Sequence, residues 1–421
     1  MALDVMEEIS RYNAGRDPER LQMKYQRMRA SDFAFLRGSC HLFYARLPSE
    51  AVLMGTKTAL PQAWACGDLH AENFGSYKGE NRLFYFDIND FDEAALAPCS
   101  WDALRLLTSI RVGAQGLQLS PAERQALSQA FLDRYAGALR EGRALWIERE
   151  TASGPVDQLL SGLQGRKRLA FLDGRTRMVG KQRLLKLDGK KALTVSADER
   201  TAVDAFMRDF AKAQAKPEFF EVLDVGRRIA GTGSLGLPRY VLLVAGKGSP
   251  DENYLLDLKL AMPSSLLPHL QGRGPQPDWP SEAERIVATQ RSMQAESPAF
   301  LQPVQWQGQP FVLRDLQPSE DRIAISADSF KAGEMAAKLA QLMGAMGELL
   351  AWAQLRSSGR RGACTADALI EFGRTQSQWQ PQLLKAAEVC TEQLGRDAAA
   401  FNMAYDGGAF AAEILNLQDR K

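Results

Sequence analysis

The chain has 421 residues, too many for one ordinary core, so two or three packed units are expected. Its 52 basic and 51 acidic residues leave a formal net charge of +1, which removes any global electrostatic case for nucleic acid or an anionic membrane as partner. Five widely spaced cysteines with no CxxC, and only three histidines, argue against a disulfide scaffold and a Cys/His zinc site. The N-terminal stretch lacks an apolar signal-peptide core, and no segment reaches the roughly 20 apolar residues that span a bilayer, so a cytoplasmic location is expected.

Residues 1–66 read as mixed helix and loop. From Asn73 to Asp87 the pattern is that of a hairpin: "NFGSY", the turn signal "KGEN", and the returning apolar run "LFYF". "SWDALRLLTSIRV" then carries apolar residues at helical spacing. Ser120-Pro121-Ala122-Glu123 has the form of a capping box, and Leu127, Phe131, Tyr135 and Ala138 give the following helix one apolar face. Residues 151–219 are more charged and less regular and read as an insertion or lobe connection. From Val225 to Met262 apolar runs alternate with glycine-rich turns, the pattern of strand-turn-strand. A helix is expected over 281–296, a strand over 309–317, and a long buried helix from Met335 through Ala353. The expected organisation is α+β with segregated parts: 1–150 and 321–421 as a helical lobe, 220–320 as a smaller β-rich lobe.

The chemistry concentrates in "ACGDLHAENFG", Ala65 to Gly75. Asp68 and Asn73 stand in the D-L-x-x-x-N spacing of a phosphotransferase catalytic loop. There the aspartate accepts the proton of an attacking hydroxyl and the asparagine oxygen holds magnesium on the phosphates. Alone, the pair reads sooner as an Asx-turn pair capping a loop, and the acidic strand end beyond it shifts the balance to catalysis. The acidic strand end "FDINDFDE" supplies Asp87, Asp90 and Asp92, oxygen donors of the kind magnesium takes. His70 and Glu72 have no assigned role.

"GDLHAEN" followed by "NDF" resembles the signature of aminoglycoside and choline kinases, within the protein-kinase-like superfamily. "RMRASDFAFLRGS", "GDLHAENFG" and "FDINDFDEAALAPCSWDALRL" are more closely similar to a bacterial family, domain of unknown function 2252. The resemblance runs from about Arg27 to about Arg356 and implies a two-lobed kinase-like fold without naming a substrate. By it, Asp68 matches the catalytic base and Asn73 the first metal ligand. The second ligand is Asp90, counting back from Asp102, which resembles a structural aspartate; counting forward through the hairpin favours Asp87. Cys66 stands where the usual motif has histidine.

"GTGSLG" (231–236) is a glycine-rich run followed by Pro238 and the strand-like "YVLLVAG", so it does not open a helix as a dinucleotide-binding loop would. Between two strands it suits a loop over ATP phosphates, with Gly231, Gly233 and Gly236 as its glycines. "YLLDLKLA" resembles the strand bearing the phosphate-binding lysine, here Lys259, and Glu284 on the next helix is its expected ion-pair partner, with Glu282 or Gln290 as substitutes. Arg37 and Arg314 read as surface ion pairs or phosphate contacts. Since the glycine loop follows the catalytic loop, the resemblance implies a circular permutation.

The expected activity is Mg2+- and ATP-dependent phosphotransfer to a hydroxyl acceptor. A catalytically silent nucleotide-binding or docking module, a metal-dependent hydrolase and nucleotidyl transfer are the competing readings.

Overall fold

The computed structural model describes residues 4–48, 60–163, 166, 168–317 and 333–410. The chain opens with four helices, α1 (Val5–Asn13), α2 (Pro18–Arg29), α3 (Asp32–Gly38) and α4 (Cys40–Ala45). Asp4 and Asp17 cap the first two by accepting backbone N–H groups, and Pro18 occupies the first turn of α2, where its missing donor costs nothing. Strand β1 (Gln62–Ala65) leads into the motif segment. The expected hairpin follows as β2 (Phe74–Lys78) and β3 (Phe84–Ile88), paired antiparallel with Gly75 opposite Asp87. Strand β4 (Ala95–Pro98) returns antiparallel to β1.

Helices α5 (Ser100–Gly116) and α6 (Pro121–Glu141) come next, and α6 begins with the capping box read from Ser120 and Glu123. Leu127, Phe131, Tyr135 and Ala138 are all buried, as the helical spacing requires. Short elements β5 (Ile147–Glu148), α7 (Gly154–Leu163), α8 (Arg168–Asp173), β6 (Thr176–Val179) and β7 (Gln182–Leu185) lead to β8 (Ala192–Leu193) and α9 (Ala197–Lys212). The β-rich block is β9 (Val222–Arg228), β10 (Arg239–Val244), β11 (Tyr254–Leu260), α10 (Glu282–Met293), β12 (Gln302–Trp306) and β13 (Gln309–Asp315). Helices α11 (Met335–Ser357), α12 (Ala366–Arg374) and α13 (Gln376–Asp406) complete the described chain. The boundary expected between 320 and 321 lies outside the described residues.

The fold is α+β. One sheet has six antiparallel strands in the order β12-β13-β11-β10-β9-β8. Along its strands alternate residues face opposite sides. Tyr240, Leu242, Leu256, Leu258, Phe311 and Leu313 pack on Val203 and Met207 of α9, so the segment before residue 220 contributes a covering helix to this sheet. On the other face, Val241, Leu243 and Leu255 pack with Leu172 and Leu185 at one end only. Towards the other end that face carries charge: Arg239, Asp257, Lys259 and Arg314.

The larger core joins β1–β4, α5, α6, α7 and α11, with Trp64, Leu104, Phe131, Met346 and Leu350 among its members. It also takes Ala283, Ile286 and Val287 of α10, which therefore binds the sheet to the helical body. Val5, Ile9, Tyr25, Phe35 and Phe401 form a smaller core that brings α1–α3 against α13. None of the five cysteines is disulfide-bonded. Among the described residues no helix is long and apolar enough to cross a membrane.

Candidate functional site

The motif segment leaves β1 through Gly67, whose φ is +88°; a Cβ there would lie 2.2 Å from the Glu93 carbonyl oxygen, so only glycine fits. Asp102, buried on the first turn of α5, accepts the N–H groups of Cys66 (2.8 Å) and Gly67 (3.0 Å) and fixes where Asp68 begins. Asn73 donates its amide nitrogen back to the Asp68 carbonyl at 2.5 Å, which leaves the amide oxygen as its acceptor atom. Buried Arg105 holds Asp68 through one carboxylate oxygen, with Nη2 at 2.6 Å and Nε at 3.2 Å, while the Asp68 side chain keeps 21% of its surface exposed. Burial pushes the Asp68 carboxyl up to about 6 against the opposing pull of Arg105. Burial likewise raises Asp102 to about 6, against the N–H groups it accepts.

A cavity of about 370 Å³ lies beside this loop. Asp68, Asn73 and Asp90 line it together with Gly231, Gly233, Gly236 and Lys259. Residues far apart in sequence thus meet because β9–β11 lay the glycine loop and Lys259 over the motif segment. Asp87 and Glu284 do not line it. Asp87 lies within β3 with its carboxylate buried on the N–H groups of Ile88 (2.8 Å) and Ala295 (3.1 Å), whereas Asp90 lies beyond the end of that strand. Lys259 ion-pairs with Asp92, from the same acidic run, where a partner on α10 is expected. What α10 sends to the site is Arg285, which donates to the carbonyls of Asp92 (3.0 Å) and Met262 (2.8 Å) and so holds Asp92 beside the end of β11. Arg37 pairs with Glu72, and Arg314 with Asp257.

The glycine loop is held from outside by the N-terminal helices. Arg16 Nη1 donates to the carbonyls of Gly233 (2.6 Å) and Leu235 (2.9 Å), Lys24 Nζ to Gly233 (2.9 Å) and Arg27 to Gly231 (2.7 Å). Lys24 is fully buried, and burial, with Arg16 nearby, holds its ammonium well below the usual lysine range. Gly236 has φ +90° and lies against Arg16, where a Cβ would come within 2.8 Å of the arginine Cβ. Tyr12 and Glu93 close the cavity, hydrogen-bonded to each other at 3.2 Å.

Sequence reasoning missed Arg16, Lys24, Arg105, Arg285 and Glu93. Arg16, Lys24, Arg105 and Arg285 lie in segments whose local pattern is ordinary helix or loop, and only folding brings them to the motifs; Glu93 closes the acidic run already marked. Asp257 was legible in principle: an acid in the middle of the apolar strand "YLLDLKLA" needs a buried partner. For magnesium, the donors at hand are the Asp90 carboxylate and the Asn73 amide oxygen, and among the described residues no group of three or more His, Cys, Asp or Glu side chains could hold a metal. That set fits a magnesium ion that keeps waters and substrate phosphates as its other ligands.

No curated protein and no solved structure matches the chain. Residues 16–404 match the model of the family described as an uncharacterized protein conserved in bacteria, DUF2252, and the chain belongs to that family.

Proposed function

We propose that the protein is a Mg2+- and ATP-dependent phosphotransferase acting on a hydroxyl acceptor, built on a circularly permuted, two-lobed kinase-like plan. The observation that carries this reading is the shared cavity, lined by Asp68, Asn73 and Asp90 and by Gly231, Gly233, Gly236 and Lys259. Mg-ATP would supply the transferable phosphoryl group. Asp90 and Asn73 would hold the cation, and the loop N–H groups and Lys259 would receive phosphate oxygens, since phosphoryl transfer asks chiefly for positioning and charge neutralisation. Arg105 fixes one oxygen of Asp68 and leaves the other to orient the acceptor hydroxyl and take its proton. A carboxyl pushed up to about 6 is a better base at neutral pH than an ordinary aspartate. The shared core of α1–α3 and α13 suits a permuted order, because a permutation is tolerated where the joined ends lie together.

One observation favours a second reading. Lys259 is engaged by Asp92, and a lysine so held is withheld from phosphate, as in a catalytically silent nucleotide-binding module. Thermal unfolding with and without Mg-ATP tests the common ground, since a ligand of the folded state stabilises it by RT ln(1 + [L]/Kd). Stabilisation that survives in Asp68→Asn, together with ATP turnover that does not, is the result expected of the enzyme. Turnover-free stabilisation of the unmodified protein would point to the silent module. No stabilisation at millimolar Mg-ATP would refute both.

A further inference from the structure

A second cavity, of about 790 Å³, lies under the charged end of the six-stranded sheet and meets the first along Arg37, Asp90, Gly231 and Thr232. Three arginines reach it from strands on both sides of β11, which bears Asp257: Arg228 of β9, Arg239 of β10 and Arg314 of β13. All three converge on one carboxylate, Asp257, which has no exposed surface. Arg239 binds it through two nitrogens (2.9 and 2.6 Å), Arg228 at 2.6 Å and Arg314 at 3.4 Å. Their side chains are only 8, 15 and 14% exposed, respectively. One carboxylate balances one guanidinium, and the other acids lining the cavity, Glu72, Asp90 and Asp188, are outnumbered by its arginines and lysines, so positive charge is in excess there. Burial pushes Arg228 down to about 9, and repulsion from Arg239 and Arg314 acts in the same direction against the pull of Asp257. Exposed Lys186, Lys190 and Lys191 stand at the edge of the same cavity.

Excess charge on side chains so withdrawn from solvent is costly unless a ligand supplies the counter-charge. A guanidinium fork matches the oxygens of a phosphate in paired, charge-assisted hydrogen bonds. The cavity is concave and of small-molecule size, which sets it apart from a surface patch for a polymer. We infer that it is a binding site for a phosphate-bearing small molecule, recognised by Arg228, Arg239 and Arg314 with the lysines at its edge. The inference does not depend on the phosphotransferase reading. The phosphate has two conceivable sources, the chain of a nucleotide or a separate phosphorylated substrate.

Calorimetric titration of the full chain with sodium pyrophosphate, without magnesium, tests it. Saturable binding that weakens with added salt is expected. Arg228→Gln and Arg314→Gln should each weaken it about tenfold or more, the loss of a hydrogen bond to a charged group. Each leaves two arginines on Asp257, so the carboxylate stays paired. The triple change Lys186→Gln, Lys190→Gln, Lys191→Gln lies on exposed positions, keeps the fold, and should weaken binding by a smaller factor. Repeating the titration with a saturating non-hydrolysable Mg-ATP analogue separates the sources: displacement assigns the site to the nucleotide's own phosphates, and retained binding assigns it to a second, phosphorylated ligand. No binding at millimolar pyrophosphate, or equal affinity in all variants, would overturn the inference. Intact pyrophosphate binding without Mg-ATP binding would remove the phosphotransferase reading and leave this site standing.

Discussion

Asp257→Asn is the sharpest perturbation of the sheet. Its carboxylate has no exposed surface and accepts from three guanidiniums, two of them at 2.6 Å. Burial alone would raise its pKa, but Arg228, Arg239 and Arg314 overcome that and hold it well below the usual carboxylate range. Asparagine keeps the shape and removes the charge, so the arginines are left facing one another. A unit charge pair near 4 Å is worth about 4 kcal/mol at an effective dielectric of roughly 20. Removing one partner of a buried ion pair costs about 3–5 kcal/mol, and that is the expected loss of stability. Because the folded pKa is depressed, the carboxylate's contribution is present above the unfolded value near 4 and is lost only as pH falls through the folded value. Between pH 5 and 9 the gap between wild type and variant is therefore constant as far as Asp257 is concerned. Urea and thermal unfolding across that range measure it. A variant within about 1 kcal/mol of wild type at pH 7 would refute the claim that this carboxylate is the cluster's counter-charge.

The remaining predictions concern the first cavity. If Asp68 is the base, ATP turnover rises from pH 5 to 7 with an inflection near 6, and a flat profile would remove it from that role. Its stability effect runs the other way: with a raised folded pKa, its contribution is full below about pH 4 and is lost as pH rises through 6. Asp92→Asn frees Lys259 from its ion pair and should tighten Mg-ATP binding, whereas Lys259→Met should weaken it; both are read by calorimetry, and weakening in both would show Asp92 to be a positioning partner. Gly236→Ala forces a side chain into the left-handed region against Arg16, at a cost of about 1–3 kcal/mol, and should lower the unfolding temperature and weaken Mg-ATP binding together.

Local chemistry in the sequence was enough to mark the Ser120 capping box, the Phe74–Ile88 hairpin, the long helix from Met335 and the strands on either side of "GTGSLG". Each is specified by neighbouring residues: a cap, a turn, or an apolar period that folding has only to bury. The spacing of Asp68 and Asn73 likewise marked a loop, and the acidic run beyond it marked its neighbour. Tertiary structure alone decided that Asp90, Asp92 and Glu93 of that run line the cavity and that Asp87 does not, because Asp87, within β3, is held on backbone N–H groups. It also gave Lys259 to Asp92, set Arg105 on Asp68, and brought Lys24 and Arg16 to the carbonyls of the glycine loop. Those contacts join residues that share no periodicity, and their energy exists only once burial has removed water from around the charges. The convergence of Arg228, Arg239 and Arg314 on Asp257 is of the same kind: three strands supply the charge, and only their register in one sheet places it in one cavity.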